Sequence, residues 1–158
     1  MQMYHLVTDW YFPFSLEQVW EELTDFNSWP AWWPDWRKLA LRGNPGGAQQ
    51  VGSIFDCAVR GHLPYTLRFT LEATRIEPPT LHEHNAAGGL AGTGKWVLMQ
   101  EASSCHVQHH WHVGTGNPIL NSFARLGFVR GLMEENHHGI MSRGYEGLKA
   151  RLEQKVLA

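Results

Sequence analysis

The sequence predicts an α+β fold: a curved antiparallel sheet of about seven strands wrapped around one long C-terminal helix, with two short helices after the first strand. Three observations carry this. The middle of the chain, from Lys38 to Val113, alternates between apolar and polar residues in runs separated by Gly-, Pro- and Ser-rich turns. Only two short helical stretches interrupt the strands, and both precede Lys38. From Pro118 onward the apolar spacing changes from every second residue to a helical period.

Tyr4 to Phe12 is dense in aromatic and β-branched residues and reads as a strand that Pro13 ends. Ser15 opens a helix, with Gln18 at capping-box spacing and Leu16, Val19, Trp20 and Leu23 on one stripe. Asn27 can cap a second helix reaching Trp36, which Pro30 and Pro34 keep short. Strands are expected at 38–42, 53–60, 65–76, 80–87, 95–102 and 105–113, with Gly-rich stretches at 43–52 and 88–94 between them. Hairpin connections make the sheet antiparallel.

In the last segment Pro118 suits a helix start. Ile119, Phe123, Leu126, Val129, Met133, His137, Ile140, Met141, Gly144, Leu148 and Leu152 then share one broad helical face running to about Leu157. Gly127, Gly131 and Gly139 are the places where this helix can bend or divide. A sheet with a single long helix curls its apolar face around that helix, and the curl leaves space for a ligand cavity.

Composition narrows the function. The 158 residues make one domain, 1–158, large enough to bury a sizeable core. Lys and Arg number 13 and Asp and Glu 15, a net charge of -2, which excludes a strongly basic nucleic-acid binder. Charged residues are 18%, below the roughly 25% of an average domain, while eight residues are Trp and ten His. Cys57 and Cys105 form no CxxC and read as buried thiols of a reducing compartment. Residues 1–9 lack a basic start followed by an apolar stretch, and no run of residues is long and apolar enough for a membrane span. The expected location is the cytoplasm.

Strand alternation sorts the candidate site residues by face. In the last strand Cys105, Val107, His109, Trp111 and Val113 form the apolar, inward set, and His106, Gln108, His110 and His112 the outward set. Trp96 and Leu98 suit the interior of the preceding strand. Tyr65, Leu67, Phe69, Leu71 and Ala73 are the inner set of the long strand. In 80–87 the inner set is read as Leu81, Glu83, Asn85 and Ala87, with His82 and His84 pointing out. His137 lies on the apolar stripe of the C-terminal helix, one turn from both Met133 and Met141.

The candidate ligand-binding set is therefore Phe69, Glu83, Asn85, Trp96, His109, Trp111, Phe123, Met133, His137 and Met141. His137, His109 and Glu83 are its polar members. They can orient a carbonyl or a phenol, or move a proton, and so are the candidate catalytic residues as well. The bland alternative is a core histidine bonded to a backbone carbonyl and a rim carboxylate paired with Arg.

The order of elements and several motifs resemble the helix-grip superfamily of START-like and pollen-allergen-like proteins. Within it the chain resembles the polyketide cyclase/dehydrase-type branch, often labelled SRPBCC. The motifs are Val19-Trp20 with Leu23 and Asp25; Trp29-Pro30 and Trp32-Trp33-Pro34; Leu63-Pro64-Tyr65; Glu77-Pro78-Pro79; the stretch from Gly89 to Trp96; and Asn136-His137, Met141, Gly144 and Gly147-Leu148. The resemblance spans nearly the whole chain. It implies a helix-grip fold and a bound small apolar molecule, such as a lipid, sterol or polyketide, and it does not imply a particular reaction.

The expected function is binding of a small, mostly apolar, aromatic, polyketide- or lipid-like ligand between sheet and C-terminal helix, as carrier or sensor. The alternative is a cofactor-free cyclase or dehydratase with His137 or His109 as general acid/base. A cupin-like metalloenzyme ranks third: His82 and His84 form H-x-H, but no Glu follows at cupin-like spacing, so no metal and no cofactor is expected. The Trp residues between 29 and 36 are expected to plug one end of the core rather than face a membrane or partner. Gly88 to Gly94 lack the Lys-Ser/Thr ending of a phosphate loop, and Ser103 to His106 lack the strand-to-helix turn of a nucleophile elbow.

Overall fold

The computed structural model describes residues 3–44, 46–62, 64–115 and 127–157. Strand β1 (Met3–Phe12) leads into α1 (Leu16–Thr24), a single 3-10 turn at Phe26–Ser28 and α2 (Trp29–Trp32). Strands β2 (Trp36–Leu41), β3 (Ile54–Val59), β4 (Leu67–Glu77), β5 (Leu81–Gly88), β6 (Leu90–Glu101) and β7 (Ser104–Thr115) follow, and then helix α3 (Gly127–Leu157). The seven strands form one antiparallel sheet in the order β1-β7-β6-β5-β4-β3-β2. Every neighbour in the sheet is a sequence neighbour except β1, which closes onto β7. The fold is the helix grip, as the sequence predicts.

Local chemistry explains the first elements. Ser15 Oγ accepts from the backbone N–H of Gln18, and the Gln18 side chain accepts from the Ser15 N–H, so the expected capping box is present. Pro30 stands in the first turn of α2, where its missing N–H costs nothing. The helix start expected at Pro118, and with it Phe123, lies outside the described residues.

The core runs between the concave face of the sheet, α1, α2 and the C-terminal half of α3. Trp29, Trp33, Phe26, Leu23 and Val19 are each at most 2% exposed there, with Leu148 of α3 at 0%. The Trp residues of the 29–36 segment are thus core and not surface, and Trp36 packs partly buried against them. Helix α3 approaches α2 closely through two glycines. A Cβ on Gly144 would overlap the Trp33 indole, and one on Gly147 the Trp32 carbonyl oxygen. Polar ties also fasten the same helix. Trp33 Nε1 donates to the Ile140 carbonyl at 2.9 Å; Arg143 forks onto Asp35 at 2.7–3.0 Å; and Arg151 donates to Glu22 at 2.7 Å. Asp35 and Glu22 are both buried, so each carboxylate is paired rather than stranded.

The faces of β4, β6 and β7 follow the alternation expected of them: Phe69, Leu71 and Ala73, Trp96 and Leu98, and Cys105, Val107, His109 and Val113 are all buried. Strand β5 departs from it. His82 and His84 are 1% and 3% exposed and point inward with Ala86, whereas Asn85 and Ala87 are exposed and Glu83 sits on the outer face. Register is the reason. Cross-strand partners share a face, and β5 pairs Ala86 with Leu71 and His84 with Ala73 on one side, His82 with Trp96 and His84 with Gly94 on the other. Glu83 then falls between Arg75 and Lys95 on the convex side, where opposite charges flank it. A second difference is the start of β6, which begins at Leu90 rather than at Lys95. Its glycines are strand residues. Gly94 is buried on the concave side, where a Cβ would collide with both His84 and Trp111.

Candidate functional site

Between the concave sheet and the N-terminal half of α3 lies a cavity of about 110 Å³. Phe69 and Leu71 come from β4, Trp96 from β6, and Trp111 and Val113 from β7. Trp29, Trp33 and Trp36 close one end, and Met133, His137, Ile140 and Met141 of α3 form the lid side. The helix buries less here than further on: Met141 and Leu148 are buried, but Met133 and His137 only in part.

Of the residues expected at the site, Phe69, Trp96, His109, Trp111, Met133, His137 and Met141 line the cavity. Glu83 and Asn85 do not; the register of β5 turns them outward. Phe123 lies outside the described residues. His84 and the indoles of Trp29, Trp33 and Trp36 join the lining. The pairing of His84 with Gly94, a glycine that makes room on the facing strand, was the available signal for His84, and it needs the register to be read.

Four polar features stand out on a mostly apolar wall. The first three are buried atoms with no hydrogen-bond partner among the described residues: Trp36 Nε1, His109 Nδ1 and His137 Nε2. Their neighbours show how unusual this is, since Trp29, Trp32 and Trp33 each donate their Nε1–H, to the Leu23 carbonyl, Ser28 Oγ and the Ile140 carbonyl. A buried unpaired donor or acceptor costs about 1–3 kcal/mol, so three at one cavity wall are groups that a ligand or a water can satisfy. The fourth is His84. Its ring lies 6.3 Å from that of His109, which in turn lies 4.1 Å from Trp96 and 6.5 Å from His137.

The three cavity histidines are neutral at pH 7. Burial pushes His84 down to about 3 and His137 to about 4. It also lowers His109 well below the ordinary value, with the neighbouring His84 and His137 adding to the effect. The outer face is different. His106 bridges Asp9 at 2.7 Å and Glu101 at 2.9 Å under the stacked ring of Tyr11. Burial opposes its charge, but the two carboxylates outweigh burial and raise its pKa. No group of three or more metal-binding side chains occurs among the described residues. The two strands that carry the H-x-H pair and the outer histidines are separated by β6.

The model of the family described as polyketide cyclase/dehydrase and lipid transport matches residues 3–153. This chain belongs to that family. Solved structures agree on the fold. A Thermus thermophilus protein, TTHA0849, is 16% identical with a TM-score of 0.74, over 94% of this chain and 99% of that one. The ZhuI aromatase/cyclase of a Streptomyces species is 12% identical with a TM-score of 0.73, over 98% and 96%. A START superfamily protein of Mycobacterium smegmatis is 13% identical with a TM-score of 0.71, over 95% and 97%. No curated protein matches the sequence. Among the described residues of this family member, no helix is long and apolar enough to cross a membrane.

Proposed function

We propose that this chain, acting as one domain over residues 1–158, binds a small, mostly apolar ring-bearing molecule between its sheet and α3, as a carrier or sensor. The observation that carries the reading is the set of unpartnered polar atoms, Trp36 Nε1, His109 Nδ1 and His137 Nε2, on an apolar cavity wall. An indole N–H only donates, so Trp36 calls for a ligand oxygen. The aromatic lining supplies contact area, and the few polar groups fix orientation. Volume limits what enters: at about 110 Å³ the cavity is smaller than the roughly 150 Å³ one that accommodates benzene, so it takes at most a single ring or the end of a longer molecule.

The same histidines are the candidates for proton transfer in a cofactor-free cyclase or dehydratase. Their environment favours binding instead. A general base works best with a pKa near the working pH, and burial has carried His137 down to about 4. It accepts a hydrogen bond well and holds a proton poorly.

The test uses 4-fluoroacetophenone, whose carbonyl can take the Trp36 N–H, and 4-fluoroethylbenzene, which has none, each titrated by ¹⁹F NMR. Both are expected to bind at one site. Trp36→Phe removes the N–H but keeps a ring, and is expected to weaken the ketone about five- to tenfold while leaving the hydrocarbon unchanged. Failure of either probe to bind, or equal loss of both, overturns the reading.

A further inference from the structure

We infer that Gln49 and His82, which lie outside the cavity, fix the protonation pattern of His84 so that it presents a bare Nε2 to the ligand, making the site selective for a ring that carries a hydroxyl donor. The inference rests on the binding proposed above and adds a specificity to it.

The chain of hydrogen bonds can be followed in one direction only. Gln49 Nε2 donates to the Thr24 carbonyl at 2.6 Å. A carbonyl cannot donate, so the amide cannot be turned round, and Gln49 Oε1 faces His82 Nε2 at 2.7 Å. An amide oxygen only accepts, so the proton of His82 is on Nε2. Burial keeps His82 neutral, at about 4, and its Nδ1 therefore carries a lone pair. That Nδ1 lies 3.3 Å from His84 Nδ1. Two bare nitrogens would repel, so His84 must donate through Nδ1. A neutral imidazole has one N–H, and the one left without a proton is His84 Nε2.

Position makes this consequential. His84 lies in the cavity wall, and a Cβ on Gly94 would stand 2.5 Å from both its Nε2 and the Trp111 ring. His84 Nε2 thus packs over Gly94 in the cavity wall, in a spot that a side chain at position 94 would fill. Phe26 lies against the His82 ring at 4.9 Å and also lines the cavity, so the two-histidine pair is packed rigidly from the side. Gln49 and His82 touch no ligand; they are positioning residues. A phenol or enol hydroxyl can donate to His84 Nε2, whereas its methyl ether cannot, and meets the nitrogen lone pair instead.

The test compares 4-fluorophenol with 4-fluoroanisole by ¹⁹F NMR titration, and reads the tautomer of His84 from its side-chain ¹⁵N shifts. The wild-type protein is expected to show His84 protonated at Nδ1 and to bind the phenol about tenfold more tightly than the ether. Gln49→Leu, which frees the His82 proton to move, is expected to mix the His84 tautomers and shrink the preference to about twofold. Gly94→Ala, whose Cβ would press on both His84 Nε2 and the Trp111 ring, is expected to abolish the preference. Should neither probe bind, the cavity reading fails and this selectivity with it. Should both bind equally to the wild type, or should His84 carry its proton on Nε2, the cavity reading stands and the selectivity alone is overturned.

Discussion

Acidification from pH 6.5 to 5.5 is expected to lower the unfolding midpoint of this protein by about 10 °C, far more than a domain with only surface histidines would lose. Four histidines are held neutral in the fold by burial, His82, His84 and His109 fully and His137 in part. Each titrates near 6.5 once unfolded; when folded, His82 and His137 are pushed down to about 4 and His84 to about 3, and His109 lies well below its ordinary value. The unfolded chain therefore binds more protons through this window, and stability falls as pH falls. The stabilisation is complete above pH 6.5 and is lost on the way down to about 4. Over the first unit below 6.5 each site costs about 1 kcal/mol, together about 4 kcal/mol out of the roughly 5–15 kcal/mol typical of a domain. His106 works the other way, because its folded pKa is raised: its contribution is fully present below pH 6.5 and fades as pH rises. It is one group against four, and its partners Asp9 and Glu101 are about half exposed. Calorimetry at pH 7.5, 6.5 and 5.5 checks this. A midpoint constant to within about 2 °C would mean that the inward histidines are not buried neutral groups.

Gly147→Ala is expected to destabilise by about 3 kcal/mol or more, whereas Gly131→Ala in the same helix stabilises by up to about 1 kcal/mol. Alanine is the better helix former by about 1 kcal/mol at either position. At Gly131 a Cβ meets nothing within 4 Å, and the propensity gain stands. At Gly147 the Cβ overlaps the Trp32 carbonyl oxygen, a backbone atom that cannot swing aside. The helix has to move, and overpacking of this kind costs about 1–3 kcal/mol before anything else is lost. Movement also pulls on the Trp33–Ile140 hydrogen bond and on the Arg143 fork over buried Asp35. Stripping the partner from a buried carboxylate adds further cost. Urea unfolding of the two variants gives the answer through opposite shifts in midpoint; a Gly147→Ala protein as stable as the wild type would show that α3 does not sit against α2 as described.

Much of the scaffold was legible in the residues. Ser15 and Gln18 announce their capping box, and the odd positions from Cys105 to Val113 announce the inner face of β7, because in both cases the pattern is local. The face of β5 was not legible. Taken alone, His82-Glu83-His84-Asn85 offers two polar alternations of nearly equal merit, and Leu81 and Ala87 tip the choice towards Glu83. What decides it is long-range: the register that sets His84 beside Ala73 and Gly94, and Glu83 between Arg75 and Lys95. The same cause hid the glycines of β6, which read as turn residues until the ring packed over Gly94 is known. Of the ten histidines, sequence reasoning kept a functional claim for His109 and His137. The geometry adds His84, with His82 and Gln49 behind it.

The most direct test of the central claim is a map of side-chain ¹⁵N shifts with and without saturating 4-fluoroacetophenone. Binding in the cavity moves the Trp36 Nε1–H and the ring nitrogens of His84, His109 and His137, and leaves His5 and His112 on the outer face unchanged. Shifts confined to the outer histidines, or an undisturbed Trp36 N–H at saturation, would contradict a binding site between the sheet and α3.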